Sequence, residues 1–146
     1  MATNKNFGGL ATRLGSVSKR VGVGVSAYKR RIVLAIEGEL VKQTPVKSGR
    51  ARANWILTNR MPTGTEQPLP VGTMSEAEER AYWSALSAKQ VAENMAVQDE
   101  TEVAMYLTNN VPYSEKLANG SSKQAPAGYV ENAMLVGIRK TKKPTF

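Results

Sequence analysis

The sequence predicts an α+β fold of one domain: a long N-terminal helix, a small, mostly antiparallel sheet and two or three further helices. Three observations carry this. Apolar residues recur at steps of three or four from Leu10 to Leu40, the period of a helix. Residues 101–109 alternate, with Val103, Met105 and Leu107 on one face and Glu102, Ala104, Tyr106 and Thr108 on the other, as a half-buried strand does. Residues 53–59, Ala-Asn-Trp-Ile-Leu-Thr-Asn, are rich in β-branched and aromatic types and supply a second strand. A chain of 146 residues has room for one core of modest size.

The elements follow in order. The first helix is expected from Ser26 to Lys42, with an upstream extension weakened by Gly15, Gly22 and Gly24. Its apolar stripe is Leu10, Leu14, Val17, Val21, Val25, Tyr28, Ile32, Ile36 and Leu40, and Lys29, Arg30 and Arg31 lie on its polar face. Thr44-Pro45 ends it, because the residue before a proline is pushed out of the α region. Residues 44–52 read as a basic turn leading into the strand. Pro62, Pro68, Pro70, Gly64 and Gly72 mark residues 61–74 as a projecting loop. Ser75-Glu-Ala-Glu78 is a capping box that opens a helix to about Ala96. Ala77, Ala81, Ala85, Ala88, Ala92 and Ala96 form a stripe read as its core-facing side, with Tyr82, Trp83, Leu86, Val91 and Met95 supplying bulk. After the second strand come a turn at 109–112, a short helix over 113–119 stopped by Gly120, a polar loop, and a last helix over 127–140. Residues 1–9 and 141–146 are expected to be flexible tails.

Composition closes several routes. The chain has no Cys and no His. Disulfides, thiol nucleophiles, imidazole bases and His-ligated metals are therefore excluded. No stretch approaches the ~20 apolar residues of a membrane span, and the first residues lack the layout of a secretory signal. Synthesis in the cytoplasm and no membrane partner are the expectations. Neither a three-glycine dinucleotide fingerprint nor a phosphate-binding loop is present. Glu37/Glu39 and Glu76/Glu78/Glu79 read as caps and solvated faces. Asp99, Glu100 and Glu102 lack calcium-loop spacing. No enzyme, no metal and no cofactor are expected.

The net charge of +8 is unevenly placed. Residues 1–60 hold 12 Lys or Arg and 2 Glu, a local +10. Residues 61–138 hold 4 Lys or Arg and 10 Asp or Glu, a local −6, and Arg139, Lys140, Lys142 and Lys143 close the chain. Such a pattern fits solvated faces, contact with nucleic acid, or stacking of copies through opposite charges. Arg50, Arg52 and Trp55 sit close together after Lys47-Ser-Gly49. In a strand the two arginines share one face and Trp55 takes the other. One reading is a buried Trp beside solvated arginines; the other is capture of phosphate or carboxylate by paired guanidinium forks.

Two blocks are familiar together: Thr44-Pro-Val-Lys-Ser-Gly-Arg-Ala-Arg-Ala-Asn-Trp55 and Tyr113-Ser-Glu-Lys-Leu-Ala-Asn-Gly-Ser-Ser-Lys-Gln-Ala-Pro-Ala-Gly-Tyr-Val130. In this order, after a helix, they resemble the neck or tail-completion family of tailed bacteriophages (gene-product-ten-like proteins, related to the minor tail protein Z group). The likeness covers about residues 10–140. Asn119 stands where an aromatic is common, and the 61–74 loop is longer than in many members. The resemblance makes Thr44, Pro45, Gly49, Trp55, Tyr113, Gly120, Gln124, Pro126 and Gly128 fold-defining, with Pro126 pre-setting the last helix. It implies a structural virion protein at the head–tail junction, in a homo-oligomeric ring, typically sixfold. Neighbours would be head-completion or connector proteins and tail-terminator or tail-tube proteins, with packaged DNA in the lumen. Lys29, Arg30, Arg31, Lys47, Arg50, Arg52 and Lys123 are the candidates for subunit or DNA contact. A basic nucleic-acid-binding module is the alternative. The N-terminal segment and the 61–74 loop are expected to order on docking.

Overall fold

A computed structural model describes residues 4–59, 61–68, 72–96 and 104–145. Seven elements follow one another: α1 (Asn4–Gln43), α2 (Arg50–Ala53), β1 (Trp55–Asn59), α3 (Glu76–Ala96), β2 (Met105–Asn109), α4 (Ser114–Ala118) and α5 (Tyr129–Lys140). The α+β class is as expected. Asp99, Glu100 and Glu102, where no metal is expected, and Val103 of the alternating strand lie outside the described residues.

The first helix is longer than expected. It runs unbroken through Gly15, Gly22 and Gly24 and reaches back into the stretch expected to be a flexible tail. Three glycines cost about 1 kcal/mol each in a helix interior. They weaken the segment without supplying a stop, since none carries the positive φ found at Gly49, Gly72, Gly120 and Gly128. The C-terminus is where Thr44-Pro45 placed it. Thr44 donates both its N–H and its hydroxyl to the Leu40 carbonyl, closing the last turn.

Two antiparallel strands of five residues pair Trp55 with Asn109, Leu57 with Leu107 and Asn59 with Met105. A two-stranded ladder this short is marginal by itself. It is held by helices: Leu40, Trp55, Ala125, Tyr129 and Ala133 form the buried cluster, with Ile36, Leu107 and Leu117 packed on it. Helices α1 and α5 make the closest crossing. A Cβ added at Gly137 would sit 2.7 Å from the Ile36 backbone nitrogen, so only glycine permits this approach.

Several turns differ from their sequence reading. Residues 50–53 are one turn of helix, so Arg50 and Arg52 are not partners on a strand face. Gly49 at φ 98° turns the chain into that helix rather than directly into the strand. The last helix starts at Tyr129 behind a left-handed Gly128, and Pro126 lies upstream of it in the loop. Gly120 does stop α4 as expected, in a Schellman geometry: Gly120 N–H donates to Leu117 O and Ser121 N–H to Lys116 O. The capping box is formed in full, Ser75 N–H to the Glu78 carboxylate at 2.7 Å and Glu78 N–H to Ser75 Oγ at 3.2 Å.

Within the 61–74 segment, residues 63–68 are strapped to the body. Asn110 donates to the carbonyls of Thr63 and Thr65, Gln67 N–H donates to Asn54 Oδ1, and Tyr82 reaches the Pro68 carbonyl. Polar side chains elsewhere in the chain thus satisfy much of the loop backbone, and Thr63 accepts from Thr65 N–H within it.

Candidate assembly surfaces

The two motif blocks meet in space. Gln124 grips the backbone of Val46 with both ends of its amide: Oε1 accepts from Val46 N–H at 2.7 Å and Nε2 donates to Val46 O at 3.0 Å. Trp55 Nε1 donates to the buried Thr44 hydroxyl at 2.8 Å, and Tyr129 is buried in the same cluster as Trp55. Burial raises the Tyr129 phenol above its ordinary value. Gly49 lies 3.0 Å, measured from an added Cβ, against the Trp83 side chain, and Gly120 2.9 Å against the Ala127 backbone. Tyr113 precedes α4 at the surface, its phenol raised by partial burial. These residues hold the fold together and leave no open cluster of reactive groups.

The basic candidates divide. Arg50 pairs with Glu66 of the strapped loop. Arg52 donates to the carbonyls of Lys42 and Thr44, and burial lowers its pKa. Arg30 donates to the Asn94 carbonyl on α3. Each of these three guanidinium groups has a partner within the molecule through one terminal nitrogen, while Nε of Arg50 and of Arg52 is buried without one. Lys29 is half-buried. Arg31, 6.0 Å above the Tyr28 ring, Lys47 and Lys123 are exposed. The structure therefore does not bring the seven together as one patch. The partners that absorb the arginines, Glu66, Asn94 and two carbonyls, are distant in sequence or belong to the backbone, and no spacing rule shows them.

Two glutamates expected on solvated faces are buried. Glu39 bonds Lys140 and Gln43, and Lys140 first of all holds its pKa below the ordinary range. Glu37 is 1% exposed. Its Oε1 accepts from Asn94 Nδ2 at 2.6 Å, while Oε2 has no partner. Burial raises its pKa to about 7, against a smaller lowering by Asn94. A half-satisfied carboxyl of this kind joins α1 to α3. No group of three or more metal-ligating side chains occurs among the described residues.

The alanine stripe of α3 faces the opposite way from its expected role. Ala77, Ala81, Ala85, Ala88 and Ala92 are exposed, and so is Met95. The buried side is Trp83 and Ser87, with Glu79 accepting from the Trp83 indole N–H at 3.1 Å. An alanine stripe is compatible with either side of a helix; the single tryptophan on the other face decides, because it has the most apolar area to bury. Beside this stripe, an open apolar groove of about 600 Å³ runs between the end of α1 and α3, with Val41, Val46, Trp83 and Val91 among its walls.

The N-terminal half of α1 is the other exposed surface, with Thr145 of the C-terminal segment beside Val17 and Val21 across an open groove. From Gly9 to Val25 every residue except Gly22 and Gly24 is exposed. Leu10 is 51% exposed and Leu14 59%, and Val17 and Val21 continue the stripe.

No family model, curated protein or solved structure matches this chain. The surfaces just described must carry the functional reading. Among the described residues no helix is long and apolar enough to cross a membrane.

Proposed function

We propose that this chain is a structural subunit of the head–tail junction of a tailed bacteriophage, working in the virion neck as one copy of an oligomeric ring that joins or completes the tail. The observation that carries this reading is the N-terminal half of α1. A helix of that length gains most of its stability from packing an apolar face, and this one has its apolar face open to solvent. It is built to be completed by another molecule. The resemblance of the two motif blocks to neck proteins supplies the context, with a sixfold ring, connector-side and tail-side protein neighbours, and DNA threading the lumen. The work is adhesion and fit; the chain's polar clusters serve packing and caps, and we propose no turnover.

Deleting the gene from the phage that encodes it tests the reading. The expected result is filled heads and tails that accumulate unjoined, restored by supplying the chain in trans. Joined, infectious particles without the protein contradict it.

A basic nucleic-acid-binding module is the second reading. It is favoured by the exposed Arg13, Lys19 and Arg20 on a helical half with no acidic residue. Filter binding to duplex DNA should then fall steeply between low and high salt. Negligible binding at both removes it.

A further inference from the structure

We infer that copies of this chain associate head to tail, the N-terminal half of α1 in one copy lying along the exposed alanine face of α3 in the next. The idea deepens the ring reading and rests on it only for the ring's place in a virion.

Two exposed helical faces on one chain are complementary in shape. The α1 stripe of Leu10, Leu14, Val17 and Val21 offers bulky side chains. The α3 face of Ala81, Ala85, Ala88 and Ala92 offers small ones. Bulky side chains seated on an alanine surface let two helices approach to about 8 Å between axes. Lengths agree as well. At 1.5 Å per residue, Leu10 to Val25 spans about 22 Å and Ala77 to Met95 about 27 Å. Met95, 65% exposed, adds an apolar terminus to the α3 face.

Charge selects the occupant. The α1 half carries Lys5, Arg13, Lys19 and Arg20 and no acidic residue. Helix α3 carries four glutamates, Glu76, Glu78, Glu79 and Glu93, against Arg80 and Lys89. On a helix Arg13 and Arg20 flank the leucine–valine stripe; Glu78 and Lys89 flank the alanines, and Lys89 is paired with Glu93. Packing of one α1 half on another would set two wholly basic helices together and is disfavoured. Packing on α3 sets a wholly basic helical half against a helix with two more acidic than basic side chains. The two faces differ, so the interface is heterologous and propagates into a ring when the rotation closes.

The absence of cysteine permits a direct test, since any thiol introduced is the only one. Full-length Val17→Cys protein is mixed under oxidising conditions with Ala81→Cys, Ala85→Cys, Ala88→Cys or Ala92→Cys protein. At least one mixture should give a disulfide-linked dimer in at least fivefold excess over either protein alone. Adding Leu14→Asp to the Val17→Cys chain should reduce that yield at least fivefold without moving its thermal midpoint. Equal cross-linking of Val17→Cys alone means packing between α1 halves and overturns the inference, as does no cross-link in any mixture. Flotation with anionic phosphatidylserine vesicles covers the other occupant of a basic apolar helix. Vesicle binding lost in Leu14→Asp, with no cross-link in any mixture, also overturns it. A failed cross-link beside a neck ring seen in virions refutes this pairing of faces alone. A cross-link without a neck defect on gene deletion refutes the virion role alone.

Discussion

Thr44 shows how much one side chain holds. Its hydroxyl closes α1 at Leu40 and accepts from the Trp55 indole, so it links the end of the first helix to the first strand. Thr44→Val leaves a buried indole N–H without an acceptor, which costs about 2 kcal/mol. Urea unfolding should show the midpoint falling with an unchanged slope, and Thr44→Ser should recover most of it. Glu37 makes a prediction of the other sign. Its carboxyl titrates near 7 when folded and near 4.5 when unfolded. Between those values the folded state binds the extra proton, so stability falls as pH rises through that window and then levels off. The drop should be on the order of 2 kcal/mol after allowance for solvent screening. Glu37→Gln should remove it, matching the parent near pH 4.5 and exceeding it at pH 8. Thermal melts of both proteins across that range check this; parallel pH profiles would contradict it.

At the scale of elements, the crossing of α1 and α5 depends on Gly137. Gly137→Ala drives a methyl into the Ile36 backbone and should cost about 1–3 kcal/mol, seen as a lower thermal midpoint. The 61–74 loop is anchored through Asn54, Arg50 and Asn110. Removing residues 62–73 should therefore lower stability, whatever it does to docking. Much of this scale was legible in the sequence. The end of α1 at Thr44-Pro45, the capping box at Ser75–Glu78, the αL stop at Gly120 and the 105–109 strand each rest on local chemistry that sequence displays. What sequence hid was long-range. Whether Ala85 or Trp83 faces the core depends on what α3 packs against. Arg50 and Arg52 looked available for ligands because Glu66 and the Thr44 carbonyl come to them only through the fold. Glu37 read as solvated because the Asn94 amide that receives it is far along the chain.

Across the whole molecule, the division of charge along the chain acquires a spatial form. The basic N-terminal half of α1 is exposed, and α3, with four glutamates against Arg80 and Lys89, exposes an alanine surface. Because the α1 half buries so little within its own chain, removing residues 1–22 should shift stability by less than about 0.5 kcal/mol while abolishing self-association in sedimentation runs. Raising salt should weaken the full chain's association, since screening acts on exposed charges. As proposed, this chain is a joint made of its own copies at the head–tail junction. An electron-microscopy reconstruction of the virion neck tests it most directly. The expected result is a ring of density into which copies of this fold fit, with each α1 N-terminal half against α3 of its neighbour. A neck reconstruction at side-chain resolution that contains no copy of this chain would contradict it.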